Sequence, residues 1–278
     1  MLGKLMKYEW KAMWKILLLI NAFTVFVTLL GVGAMQLIVS DSFHEADIMA
    51  IFVVLLFMLY YATIIGVSFA VTIYTGVRFY KNLYTDEGYL MHTLPVTKNQ
   101  LIISKLTIHS LCVAITGFLV ACSVVVLLLP LFAVMLEDPT ISLSYIWSEL
   151  CTMLFDELGV SLLAVIGTML FYLVVLVIST ISGVLSMYCA ISIGQTFQKH
   201  KVMGSILCYV GIYSLLQALN TVLMMPIMIL NQTGSNSDFD FLIYMNQILG
   251  LTLISSLVTG AVFYFITYHM MGKKLNLD

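Results

Sequence analysis

Charge is what this chain has least of. Of its 278 residues, 9% are Asp, Glu, Lys or Arg, where a soluble domain carries about 25%. That deficit excludes an ordinary water-soluble domain, and a net charge of −2 gives no basic field for nucleic acid. No Lys, Arg, Asp or Glu sits well inside any of the long apolar runs. Intramembrane charges mark proton relays and ion pathways, so their absence argues against a proton-coupled carrier and against a pore ringed by charge. Catalytic patterns are missing too. There is no HExxH, no GxSG nucleophile context and no aspartate pair within the apolar runs. GxxxxGK[ST] is also absent, which removes that route to ATP binding. The five cysteines, Cys112, Cys122, Cys151, Cys189 and Cys208, form no CxxC or Cys/His spacing. Four of them fall in apolar runs and read as small hydrophobes, while Cys151 falls in a loop. His44, His92, His109, His200 and His269 lie in loops or near span ends and read as structural. No catalytic, metal or cofactor site is expected in this chain.

What is present is apolar length. Hydrophobic residues make up 62% of the chain. They fall in runs at about 16–39, 51–77, 106–136, 159–194, 205–230 and 248–271. A bilayer core needs about 20 apolar residues per helix, and only helices or closed barrels satisfy their backbone in lipid. Period-2 alternation is absent, so the expectation is an all-α integral membrane protein: a single transmembrane domain over 1–278. The fourth run is long enough for one protruding helix or for two short helices meeting near Gly183. Loop charge decides between these. Lys4, Lys7, Lys11 and Lys15 precede the first run. Arg78, Lys81, Lys98 and Lys105 separate the second and third, Lys199 and Lys201 the fourth and fifth, and Lys273 and Lys274 follow the sixth. Those are all twelve cations. The other three loops carry acids only: Asp41, Glu45, Asp47, Glu137, Asp138, Glu149, Asp156, Glu157, Asp238 and Asp240. Six spans put every cation on one side, and the positive-inside rule then places both termini in the cytoplasm.

Residues 1–15 are too long a basic stretch, followed by too long an apolar run, for a cleavable leader. On a helical wheel the four lysines share one face, and Leu2, Leu5, Met6, Trp10 and Met13 share the other. This predicts an amphipathic interface helix at the inner membrane surface, with Trp10 and Trp14 at the headgroups. A plain membrane anchor fits the same pattern. Glu9 falls in the middle of the apolar face, where a carboxylate requires a partner, either Arg78 or a group on another protein.

The loop 78–105 reads RFYKNLYTDEGYLMHTLPVTKNQLIISK. Thr85 can cap a short helix over 85–94, Asp86 and Glu87 suit its first turn, and Pro95 ends it. Thr97-Lys98-Asn99-Gln100 matches a capping box ahead of the third span. Tyr89, Leu90 and Leu94 would give the short helix an apolar surface of the kind that docks a partner.

The order of elements, an amphipathic start, two spans, a short cytoplasmic helix and four more spans, resembles the membrane subunit of ABC-2-type ATP-binding-cassette transporters, especially small bacterial permeases. TDEGYLMHTLPVTKNQLIISK resembles their coupling-helix region at Asp86, Glu87, Gly88, Leu94, Pro95, Val96 and Thr97, and KLMKYEWKAMWK resembles their interface helix. The resemblance implies a multi-pass protein of the bacterial plasma membrane that works with a second permease subunit and two cytoplasmic ATPase subunits. ATP and Mg²⁺ would bind in those subunits. Asp86, Glu87, Gly88, Tyr89, Leu90, Leu94 and Pro95 would carry docking, with Glu9, Trp10 and Met13 in the interface helix. It further implies that residues 225–247, with Pro226 and NQTGSNSDFD, form a broken exterior element before the last span. The small and hydroxyl residues Thr63, Gly66, Ser68, Thr72, Thr75, Gly76, Ser179, Thr180, Ser182, Gly183 and Ser186 read as close helix packing. The absence of buried charge favours a hydrophobic or amphipathic cargo, such as a peptide, lipid or drug. Two other classes remain open: a scaffold or sensor that docks a partner without transporting, and the binding subunit of a vitamin-uptake system.

Overall fold

A computed structural model describes residues 2–39, 47–85, 88, 95–135, 148, 152, 161–197, 200–233 and 241–273. Among these the chain is all-α. Its helices are α1 (Leu2–Val39), α2 (Asp47–Tyr84), α3 (Lys98–Met135), α4 (Leu162–Gly194), α5 (Lys201–Thr233) and α6 (Phe241–Lys273). All six are long and apolar enough to cross a membrane. At about 1.5 Å per residue, helices of this length exceed the ~30 Å hydrocarbon core, so each continues past the apolar stretch that defines it.

That continuation is the main difference from the sequence reading. α1 is one helix from Leu2, so residues 2–15 are its first turns and not a separate element. α2 runs on to Tyr84, which makes Arg78 and Lys81 helical residues where a loop was expected. α3 starts at Lys98, behind a reciprocal capping box. In that box the Gln100 N–H donates to Thr97 Oγ1 at 3.3 Å and the Thr97 N–H donates to Gln100 Oε1 at 3.4 Å. The fourth run is a single helix with no break at Gly183. α5 passes Pro226 and continues to Thr233, although proline removes one backbone donor. The expected break at Pro226 is therefore not made; residues 234–240 lie outside the described residues.

The chain forms two compact units. Met1–Lys11, Ile73–Ala114 and Ile166–Asp278 make the first, and Ala12–Thr72 with Ile115–Val165 the second. In the second unit Val27, Tyr60 and Leu127 bring α1, α2 and α3 together. The Tyr60 hydroxyl bonds Ser123 Oγ at 2.9 Å, and Leu127 occupies the space left by Gly31. In the first unit Phe79, Leu83, Tyr84, Leu101, Ile102, Leu185, Tyr188 and Met271 form a larger core. Tyr84 bonds Ser192 at 2.8 Å, and Ser182 bonds Thr259 at 3.0 Å to join α4 to α6. α5 packs along α6.

The hydroxyl residues of the spans mostly bond their own helices. Thr63, Ser68 and Thr72 donate to carbonyls four residues back, and Ser179, Thr180 and Ser186 to carbonyls three back. Their polarity is thus spent locally, as packing residues require. Across the helices, many large apolar side chains remain exposed, among them Leu55, Met58, Phe69, Leu163, Leu215 and Phe265. A surface of this kind suits lipid.

Candidate functional site

Among the described residues, the densest polar assembly lies in the first unit and centres on Glu9. On α1, Glu9 lies on the inward face with Leu5 and Met6, while Lys4, Lys7 and Lys11 face out. α2 offers Arg78 and Asn82, one turn apart. α3 offers Lys105 and His109, also one turn apart. Arg78 Nε donates to Glu9 Oε1 at 2.7 Å, and Lys105 Nζ to Oε2 at 3.2 Å. Asn82 Nδ2 spans both oxygens at 3.3 and 3.4 Å. His109 Nε2 stands 3.5 Å from Oε1, at the limit of useful approach. Its Nδ1 is 2.5 Å from the hydroxyl of Tyr188, which links α4 to the same network. Tyr188 is fully buried and stacks on Phe79 with ring centroids 3.6 Å apart.

The energetics of this cluster follow from burial. Glu9 and Lys105 are almost wholly inside, with 6% and 2% of their surface exposed. An isolated ion so placed is strongly disfavoured, and removing one partner of a buried pair costs about 3–5 kcal/mol. One carboxylate here faces the basic groups of both Arg78 and Lys105. Arg78, the more exposed of the two at 25% of its side chain, sits where water or headgroups can solvate it. The carboxylate therefore fastens three helices at one point. Among the described residues no group of three or more His, Cys, Asp or Glu could hold a metal ion.

The expected partnership of Glu9 with Arg78 is present. Met13 is buried one turn beyond Glu9, whereas Trp10 is 36% exposed on the side of the helix. Lys105, His109, Asn82 and Tyr188 were not expected at a site. The helix ends account for Lys105 at the depth of Arg78. Arg78 lies six residues before the end of α2 and Lys105 seven after the start of α3. Two helices joined by one loop bring such positions to the same depth, about 10 Å from the helix ends.

Of the loop residues expected to dock a partner, Asp86, Glu87, Tyr89, Leu90 and Leu94 lie outside the described residues. Pro95 is exposed and Gly88 is buried. The Gly88 N–H donates to the Thr85 carbonyl at 2.7 Å. A Cβ on Gly88 would stand 2.5 Å from the Leu83 carbonyl oxygen, so only glycine fits this close approach. The Thr85 hydroxyl turns back to the Lys81 carbonyl at 2.5 Å and closes the end of α2. The loop thus leaves α2 through a tight turn and enters α3 through the Thr97–Gln100 box, both anchored by the cluster one to two turns away. Comparison with family models, curated proteins and solved structures finds no match for this chain.

Proposed function

We propose that this chain is the membrane-spanning permease subunit of an ATP-binding-cassette transporter in a bacterial plasma membrane. In this reading separate cytoplasmic ATPase subunits drive it, and it exports a hydrophobic or amphipathic compound. Both termini and the loop 85–97 face the cytoplasm, where the twelve cations lie. A second permease subunit completes the pathway.

The observation that carries this reading is the Glu9 clasp. A motor docked on the loop can do work only if the loop's displacement reaches the spans. The loop is bounded by α2 and α3, and Glu9 bonds side chains of both. A push at 85–97 is then delivered to α1, α2 and α3 together, and through His109 and Tyr188 to α4. A clasp of this kind would be wasted on a passive connector.

The test is to purify the tagged chain from its native membrane in mild detergent and identify what accompanies it. A Leu90→Asp/Leu94→Asp variant is treated alongside. The expected outcome is a Walker-motif ATPase that accompanies the wild type and is lost from the folded variant. If an ATPase is captured but hydrolysis responds to no candidate cargo, the non-transporting scaffold or sensor reading takes precedence. If no ATPase is captured from conditions that keep complexes intact, the permease reading is wrong.

A further inference from the structure

α5 carries polar side chains where a lipid-facing helix should have none. Tyr213, Gln217, Asn220 and Thr221 recur at i, i+4, i+7 and i+8, which places them on one face. All four are exposed. Gln217 is the middle residue of the 33 in α5, so the stripe crosses the centre of the span. The hydroxyls of Ser214 and Thr221 are already satisfied by the carbonyls of Val210 and Gln217, at 2.8 and 2.9 Å. The amides of Gln217 and Asn220 are not engaged by any other helix among the described residues. The amide of Asn246, close to the start of α6, contrasts with them, since it reaches Thr168 on α4 at 3.5 Å.

An amide has no water to bond at the centre of a bilayer, and hydrocarbon offers nothing in its place. We infer that the Tyr213–Gln217–Asn220 face of α5 is the contact through which a second copy of this chain binds. Each amide both donates and accepts, so the same face on a second copy satisfies it in full. A two-fold contact brings a patch against itself and suits a self-complementary stripe. Self-bonded Ser214 and Thr221 flank the amides as small side chains, which lets two backbones approach closely. The opposite face of α5 at this depth, with Leu215, Leu219 and Val222 exposed, is apolar and is left to lipid.

Two measurements on the full chain in lipid nanodiscs test this. In a background with the native cysteines replaced, Asn220→Cys should form a disulfide between copies under mild oxidation, and Val222→Cys should not. With native cysteines, a Gln217→Leu/Asn220→Leu variant should raise the dimer dissociation constant at least about tenfold while remaining folded. Equal cross-linking from both cysteine positions, or an unchanged constant in the leucine variant, overturns the inference. Ready labelling of Asn220→Cys by a water-soluble thiol reagent also overturns it, because that marks a hydrated path and not a closed contact. A dimer formed through α5 in a chain that captures no ATPase would leave this interface standing and remove the transport reading.

Discussion

Glu9 and the α5 stripe meet the same physical demand in opposite ways. Both are polar groups on helices otherwise built for an apolar medium. Glu9 is buried and finds its partners inside the chain, drawn from α2 and α3. Gln217 and Asn220 are exposed in the middle of α5, and among the described residues their amides bond no other helix. The difference separates what the fold needs from what it leaves to another molecule. A polar group that holds the fold together is enclosed and saturated. One left open at mid-span is a surface awaiting a complement.

The largest effect that would sharpen this contrast is expected at Glu9. Glu9→Ala leaves Lys105 buried without its counter-charge and should destabilise the folded chain by about 3–5 kcal/mol. Asn220→Leu, by comparison, removes an amide from a lipid-exposed face and should leave the stability of the single chain unchanged or raised. Unfolding of both variants in bilayers checks the pair. A Glu9→Ala protein as stable as wild type would erase the distinction. A smaller loss is expected where α4 meets α5. A Cβ on Gly194 would come within 2.5 Å of the Ser205 backbone, so Gly194→Ala must push the two helices apart. Overpacking of this sort costs about 1–3 kcal/mol. Because Gly194 is remote from the stripe, the dimer constant should not move with it.

Six helices were legible because apolar length is a direct physical requirement of the bilayer, and the distribution of cations chose six spans over seven. The need of Glu9 for a partner was legible because a wheel places it among Leu5, Met6 and Met13. Two other features were hidden by the same cause. Hydropathy marks where apolar residues stop, whereas the helices stop later. Lys105, eighth residue of α3 and buried, therefore read as a loop cation, and His109 as an isolated structural histidine. Gln217 and Asn220 among the 33 residues of α5 likewise vanish into an apolar average. Only the exposed position of Gln217 and Asn220 on the folded helix reveals them. Pro226 misled for a related reason. Proline breaks helices in water, but in a long span its freed carbonyl is accommodated locally and the helix goes on.

The central claim is that Glu9 acts as an internal clasp between α1 and the helices that flank the loop. A double-mutant cycle over Glu9→Leu and Lys105→Met, read as unfolding free energy in bilayers, tests it most directly. Each single variant strands a buried charge, and the double variant strands neither of that pair. The account predicts that the double variant is more stable than the two single losses imply, by at least about 1.5 kcal/mol. Losses that add to within about 0.5 kcal/mol would show that the two groups act independently, and would contradict the clasp.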